Sequence, residues 1–136
     1  MSDPINTKGL ELIKEMLSPE AAEGMANQSP GTFAPEMGRF AINNIFGSYW
    51  ARPGLSLRDR SLVTVSMLIA IRATQELNYH VPLAIKNGVT REELEEVIYH
   101  AAGYLGFPAA TSARQLMVEI LDGKKAPDYS HTILNK

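Results

Sequence analysis

Apolar residues along the chain recur at intervals of three and four, and no segment alternates cleanly between apolar and polar positions, so the pattern predicts helices and no sheet. Leu10, Ile13 and Leu17 form the first such stripe after Thr7. Ser18-Pro19 should stop that helix and open a short one through about Met25, because serine caps a helix and proline is tolerated in its first turn. The loop NQSPGT, 27–32, precedes Pro35, which is placed to start a third helix. That helix carries Met37, Phe40, Ile45, Phe46, Tyr49 and Trp50, the most aromatic stretch of the sequence, and ARPGL, 51–55, ends it.

Ser56 with Asp59 three residues on resembles a capping box. The following LVTVSMLIAI is apolar nearly all round and is expected at the centre of the fold, buried on most sides. Thr74 is placed to cap a helix running to Asn87-Gly88, where glycine supplies a left-handed stop. Pro82 inside it removes one backbone hydrogen bond, which predicts a kink after His80 and a carbonyl near Asn78 in need of another partner. Thr90-Arg91-Glu92-Glu93 is a capping box opening a helix that ends at Gly106, and Pro108 starts a last helix ending around Asp122-Gly123. The polar tail, 124–136, has no core-forming period and is expected to be mobile or to lie on a neighbouring subunit. The expected fold class is all-α, a single domain over 1–136 with N-terminal helices and a loop in 1–32 and a core in 33–123.

Composition narrows the chemistry. A chain of 136 residues with 45% hydrophobic content can bury one real core. Thirteen basic and fifteen acidic residues leave a net charge of −2, with no long run of either sign, so no nucleic-acid or membrane surface is expected. The absence of cysteine excludes disulfides, thiolate metal sites and thiol redox chemistry. No basic start leads into an apolar run and no segment approaches the ~20 apolar residues of a membrane span, which points to the cytoplasm.

Two of the three histidines sit one helical turn from a residue that could work with them. Glu76, His80, Leu83 and Asn87 share one stripe. A carboxylate there favours the imidazolium, raises the histidine pKa and can orient the ring, which are the needs of a general acid. The same spacing also describes a solvated pair contributing about 0.2–0.5 kcal/mol. Glu93, Glu96, Val97, His100 and Tyr104 form a second stripe, in which Glu93 is engaged by the capping box. His100, among Val97, Ile98, Ala101 and Ala102, reads as a core or interface histidine bonded to a backbone carbonyl. Glu76, His80 and His100 could converge on a metal, but no HExxH spacing or second carboxylate–histidine pair supports one, and none is expected. Of Arg52, Arg58, Arg60, Arg72 and Arg114, the first two flank a Pro-Gly turn beside the aromatic helix and are the candidates for holding a substrate carboxylate.

The stretches FGSYWARPGLSLRDRSLVTVSMLIAI and QELNYHVPLAIKNGVTREELEEVIYHAAGYLGFPAA resemble the carboxymuconolactone decarboxylase family, within the wider group that holds the AhpD-type alkylhydroperoxidases. WARPGL, ELxxH, the NG stop, the TREEL start and YxGFPAA occur in the family's order, over about 33–120. The resemblance implies an AhpD-like all-helical domain of about six to seven helices that assembles into a homo-oligomeric ring, a hexamer or trimer, with sites near subunit contacts. Peroxidase-like members carry a CxxC pair whose positions fall here on Ala73 and Glu76, so a thiol peroxidase is excluded. Glu76, Leu77 and His80 match the decarboxylase branch instead. That branch implies cofactor-independent loss of CO₂ from a 4-carboxymuconolactone-like lactone in aromatic catabolism, with His80, tuned by Glu76, as the acid. Arg52 or Arg58 would hold a carboxylate, Phe46, Tyr49 and Trp50 would wall the pocket, and His100 and Tyr104 would be secondary polar contributors. The alternatives left open are a cofactor-free enzyme acting on another lactone or keto acid, and a non-catalytic oligomeric ligand-binding protein.

Overall fold

The computed structural model describes residues 4–124, and all regular structure among them is helical. The chain forms two compact units, Met1–Arg60 and Ser61–Lys136. The tail beyond residue 124 lies outside the described residues, and so does the expectation attached to it.

In the first unit, α1 (Thr7–Met16) starts on Asn6, whose side chain accepts a hydrogen bond from the Gly9 amide at 2.9 Å. Its buried face is Gly9, Ile13 and Met16, rotated from the expected Leu10–Ile13–Leu17 stripe, and Leu17 is exposed. The rotation has a steric cause: a Cβ on Gly9 would lie 2.1 Å from the Ile42 carbonyl oxygen and 2.8 Å from the Gly47 amide nitrogen, so α1 packs backbone to backbone. Asn43 fastens the approach, its Oδ1 accepting from the Asn6 amide at 2.7 Å and its Nδ2 donating to the Pro4 carbonyl at 3.1 Å. Helix α2 (Pro19–Ala26) opens as expected, with Ser18 Oγ accepting from the Ala21 amide at 3.0 Å.

The aromatic helix differs from its prediction. Only Met37–Phe40 (α3) is α-helical, and Ala41–Trp50 continues as a π-helix. Wider i→i+5 turns suit this segment, since Asn43, Asn44, Gly47 and Ser48 are weak α-formers and Ser48 Oγ reaches back five residues to the Asn43 carbonyl at 3.1 Å. The π-helix buries Ile42, Phe46 and Trp50.

The unit boundary falls inside α4 (Leu57–Ala70), where the Ser56 hydroxyl accepts from the Asp59 amide at 3.0 Å. In the second unit α4 is followed by α5 (Thr74–Lys86), α6 (Arg91–Leu105) and α7 (Phe107–Asp122). Val65, Ile69, Leu77, Val81, Ala84, Val89, Leu94, Ile98, Ala110, Ala113 and Met117 make one core. The expectation that the apolar run 62–71 is buried on most sides is corrected: α4 buries the stripe Ser61, Val65 and Ile69, while Met67 is 62% exposed and Ile71, just past the end of α4, 73%. Val65 and Ile69 join the core of the second unit, while the apolar side of the helix that carries Met67 is bare.

Thr74 is likewise not the cap of α5 but its first residue. The cap position is Ala73, which offers no side-chain acceptor. By contrast both halves of the Thr90–Glu93 capping box form, and α6 and α7 meet at Gly106, whose φ of 87° suits glycine. Arg91 Nη2 donates to Asp122 Oδ2 at 3.0 Å, tying the start of α6 to the end of α7.

Candidate active site

Helix α5 runs unbroken through Pro82 and carries Glu76, His80, Leu83 and Asn87 on one side, as the spacing predicts. Leu83 is buried, His80 half-buried and Glu76 exposed. The far end of the stripe is anchored by a bond the sequence did not announce, from Asn87 Nδ2 to Ser61 Oγ at 3.0 Å. Ser61 is 1% exposed, so this bond satisfies a hydroxyl held away from water. Asn87 reads in the sequence as part of a helix stop. Its second use could be suspected only from the one serine facing the apolar stripe of α4.

The electrostatics of His80 correct the expected direction. Its pKa is lowered from the usual 6.5, because burial penalises the imidazolium more than the neighbouring Glu76 carboxylate favours it. The ring therefore rests neutral at pH 7. When protonated it is a stronger acid than an exposed histidine, and any anion bound beside it raises its pKa again.

His100 is exposed in the single chain, which removes the core half of its core-or-interface reading and does not test the interface half. Its ring stacks on Tyr104, itself 80% exposed, with centroids 4.9 Å apart and planes tilted by 35°. Both line a groove of about 800 Å³ along α4 and α6, with Ser66, Ala70, Glu93 and Glu96 among its walls, and neither Glu76 nor His80 lines it. Two carboxylates in that groove repel an anionic ligand.

In the first unit, Trp50 and Arg52 line a cavity of about 410 Å³ together with Lys8, Leu12, Leu55 and Leu57. Phe46 supports Trp50 from behind, ring centroids 5.8 Å apart, and Tyr49 is exposed; neither lines this cavity. The two candidate arginines separate here. Arg58 donates to Asp59 Oδ1 at 3.2 Å, whereas the Arg52 guanidinium has no ion-pair partner among the described residues. The Arg52 backbone is held, its carbonyl accepting from Arg60 Nη2 at 2.8 Å.

No group of three or more histidine, aspartate or glutamate side chains among the described residues could hold a metal ion. No helix among them is long and apolar enough to cross a membrane.

The model of the carboxymuconolactone decarboxylase family matches residues 35–119. The chain is 34% identical over 113 residues to the 4-carboxymuconolactone decarboxylase of Acinetobacter baylyi, covering 83% of this chain and 84% of that protein. It is 37% identical over 108 residues to the nitrosuccinic acid decarboxylase npaB of Metarhizium robertsii, covering 78% and 73% respectively. With most of both relatives spanned and no cysteine in the sequence, the chain belongs to the carboxymuconolactone decarboxylase family, as a carboxy-lyase-type member without the cysteine pair.

Proposed function

We propose that the protein removes CO₂ from an activated dicarboxylate, with His80 as the proton donor, Glu76 as the group that tunes it, and no cofactor. The observation that carries this reading is the half-buried His80 beside Glu76, at the position where the sequence matches the family's decarboxylase motif. The names of the two relatives denote acids with two carboxyl groups, and in each a neighbouring unsaturated lactone or nitro group can accept an electron pair. The favoured substrate is a 4-carboxymuconolactone-like lactone, which would place the reaction in the breakdown of aromatic acids.

The C–CO₂⁻ bond breaks and CO₂ departs. The electron pair stays on carbon and delocalises into the acceptor, and the imidazolium of His80 delivers a proton to carbon. Imidazole then recovers a proton from solvent, so each turnover consumes one carboxylate and one proton and yields CO₂ and the reduced-charge product. A lowered pKa speeds the delivery but leaves few free molecules charged at pH 7. The anionic substrate offsets this by raising the pKa of His80 in the complex. Arg52 is the better of the two arginines to hold a substrate carboxylate, because Arg58 is engaged by Asp59.

The protein is further proposed to be a homo-oligomer, a hexamer or trimer, closed over the bare face of α4 and α6. Met67, Ile71, Tyr99 and Tyr104 are each more than 60% exposed there, a concentration of apolar surface typical of contact faces. The deciding experiment is CO₂ release from a panel of carboxylated lactones and activated dicarboxylates, run beside multi-angle light scattering. Absence of CO₂ release across the panel would overturn the decarboxylase reading, and a one-subunit mass at micromolar concentration the assembly.

A further inference from the structure

Helix α1 lies outside the family-matched segment 35–119, yet it supplies one wall of the cavity that holds Trp50 and Arg52. Lys8 is in its first turn, where no acidic residue offsets it. A cation there adds to the partial positive charge of the helix start and is disfavoured unless an anion is near. The Lys8 ammonium, like the Arg52 guanidinium, has no ion-pair partner among the described residues. The cavity also has two carboxylates, Glu11 and Glu15. Glu11 is engaged by Lys14 Nζ at 3.3 Å, leaving two cations against one unengaged carboxylate.

Both cations stand on braced backbone. The Gly9 contact with the π-helix fixes α1 one residue beyond Lys8, and Arg60 holds the Arg52 carbonyl. Between them Trp50, Leu12, Leu55 and Leu57 offer an apolar wall. Two cations beside an indole and leucines suit an organic carboxylate with a short carbon skeleton. We infer that Lys8 and Arg52, with Trp50, form a carboxylate-binding site on the first unit, and that Lys8 is a specificity residue supplied from outside the family core. The identity of its ligand as a dicarboxylate rests on the decarboxylase reading. The site itself does not.

Trp50 is the only tryptophan of the chain, so its emission reports the cavity directly. The full-length protein is titrated with succinate, and with succinamide as the uncharged control. The expected result is a saturable change in emission with succinate and none with succinamide. Lys8→Gln should weaken binding about three- to tenfold and Arg52→Gln about tenfold or more, with Lys8→Arg restoring it, at unchanged thermal midpoints. Higher salt should weaken it further. A silent Trp50, or equal affinity in both glutamine variants and wild type, overturns the site. Loss in Arg52→Gln alone overturns the role of Lys8. Turnover of an activated dicarboxylate measured on the same samples separates the two readings. Turnover with silent Trp50 removes the carboxylate site and leaves the decarboxylase, and saturable binding with no turnover does the reverse.

Discussion

Helices α5 and α6 each place a glutamate four residues before a histidine, Glu76 before His80 and Glu96 before His100, and the two pairs end up in opposite surroundings. His80 is half-buried, and the loss of hydration outweighs its carboxylate neighbour. His100 is exposed and stacked on Tyr104. Spacing along a helix therefore sets which groups can meet, while the depth of the face decides whether their charges matter.

The comparison breaks most visibly in activity. His80→Ala is expected to lower kcat on an accepted substrate by about 10²–10⁴, the range for loss of a general acid, while circular dichroism stays native. His100→Ala should leave kcat within a few-fold and act on the association seen by light scattering. If His100→Ala abolished turnover in a natively folded, correctly assembled protein, the acid would be on α6.

The next test sharpens the electrostatic half. The protonated form of His80 is the working one, so kcat/KM should fall as pH rises through its lowered pKa, below 6.5. Glu76→Gln removes the one influence that raises that pKa and should move the limb to still lower pH. The limb of kcat should lie higher than that of kcat/KM, because bound substrate brings negative charge. Glu96→Gln should move neither, and a limb that ignores Glu76→Gln would remove Glu76 from its role.

Stability should separate the two helices more gently. Thr90→Ala strips α6 of its cap and should cost about 1 kcal/mol in urea unfolding. Helix α5 begins on Ala73 without a side-chain cap, so Thr74→Ala should cost less. The smallest effect is a pH dependence. His80 binds its proton more readily unfolded than folded, so its contribution is full above about pH 6.5 and declines as pH falls toward the lowered native value. Unfolding midpoints of His80→Gln should lack that decline. A native protein that gained stability on acidification through this window would contradict the burial of His80.

The helices were largely legible because their ends carry local chemistry. Ser18-Pro19, the Thr90–Glu93 box and Asn87-Gly88 are decided by neighbours within four residues. What stayed hidden depends on distant partners. The rotated face of α1 follows from two backbones meeting at Gly9 and Gly47, and the π-helical winding of Ala41–Trp50, though its weak α-formers are local, shows only in the Ser48–Asn43 bond of the folded chain. The bare side of α4 was misread because an all-round apolar helix looks alike whether its own chain or something else covers it. The Glu76–His80 pair was visible as a pair, but the sign of its pKa shift needs the depth of the α5 face, which no spacing encodes. Lys8 escaped notice because a first-turn lysine is an ordinary surface charge until a cavity appears beside it.

The backbone contact at Gly9 also sets how far the sequence is free to drift. A methyl group at Gly9, Gly38 or Gly47 would fall 2.1, 2.0 or 2.5 Å from its nearest neighbour, while at Gly24, Gly54 and Gly103 it meets open space. Saturation mutagenesis with selection for folded protein should therefore admit no other residue at Gly9 and Gly38, which face backbone. It should admit alanine at Gly47 only where the Asn6 side chain gives way and its cap on α1 weakens, and accept alanine readily at Gly24, Gly54 and Gly103. The Pro-Gly turn, for all its prominence in the sequence, should prove the more permissive place to change.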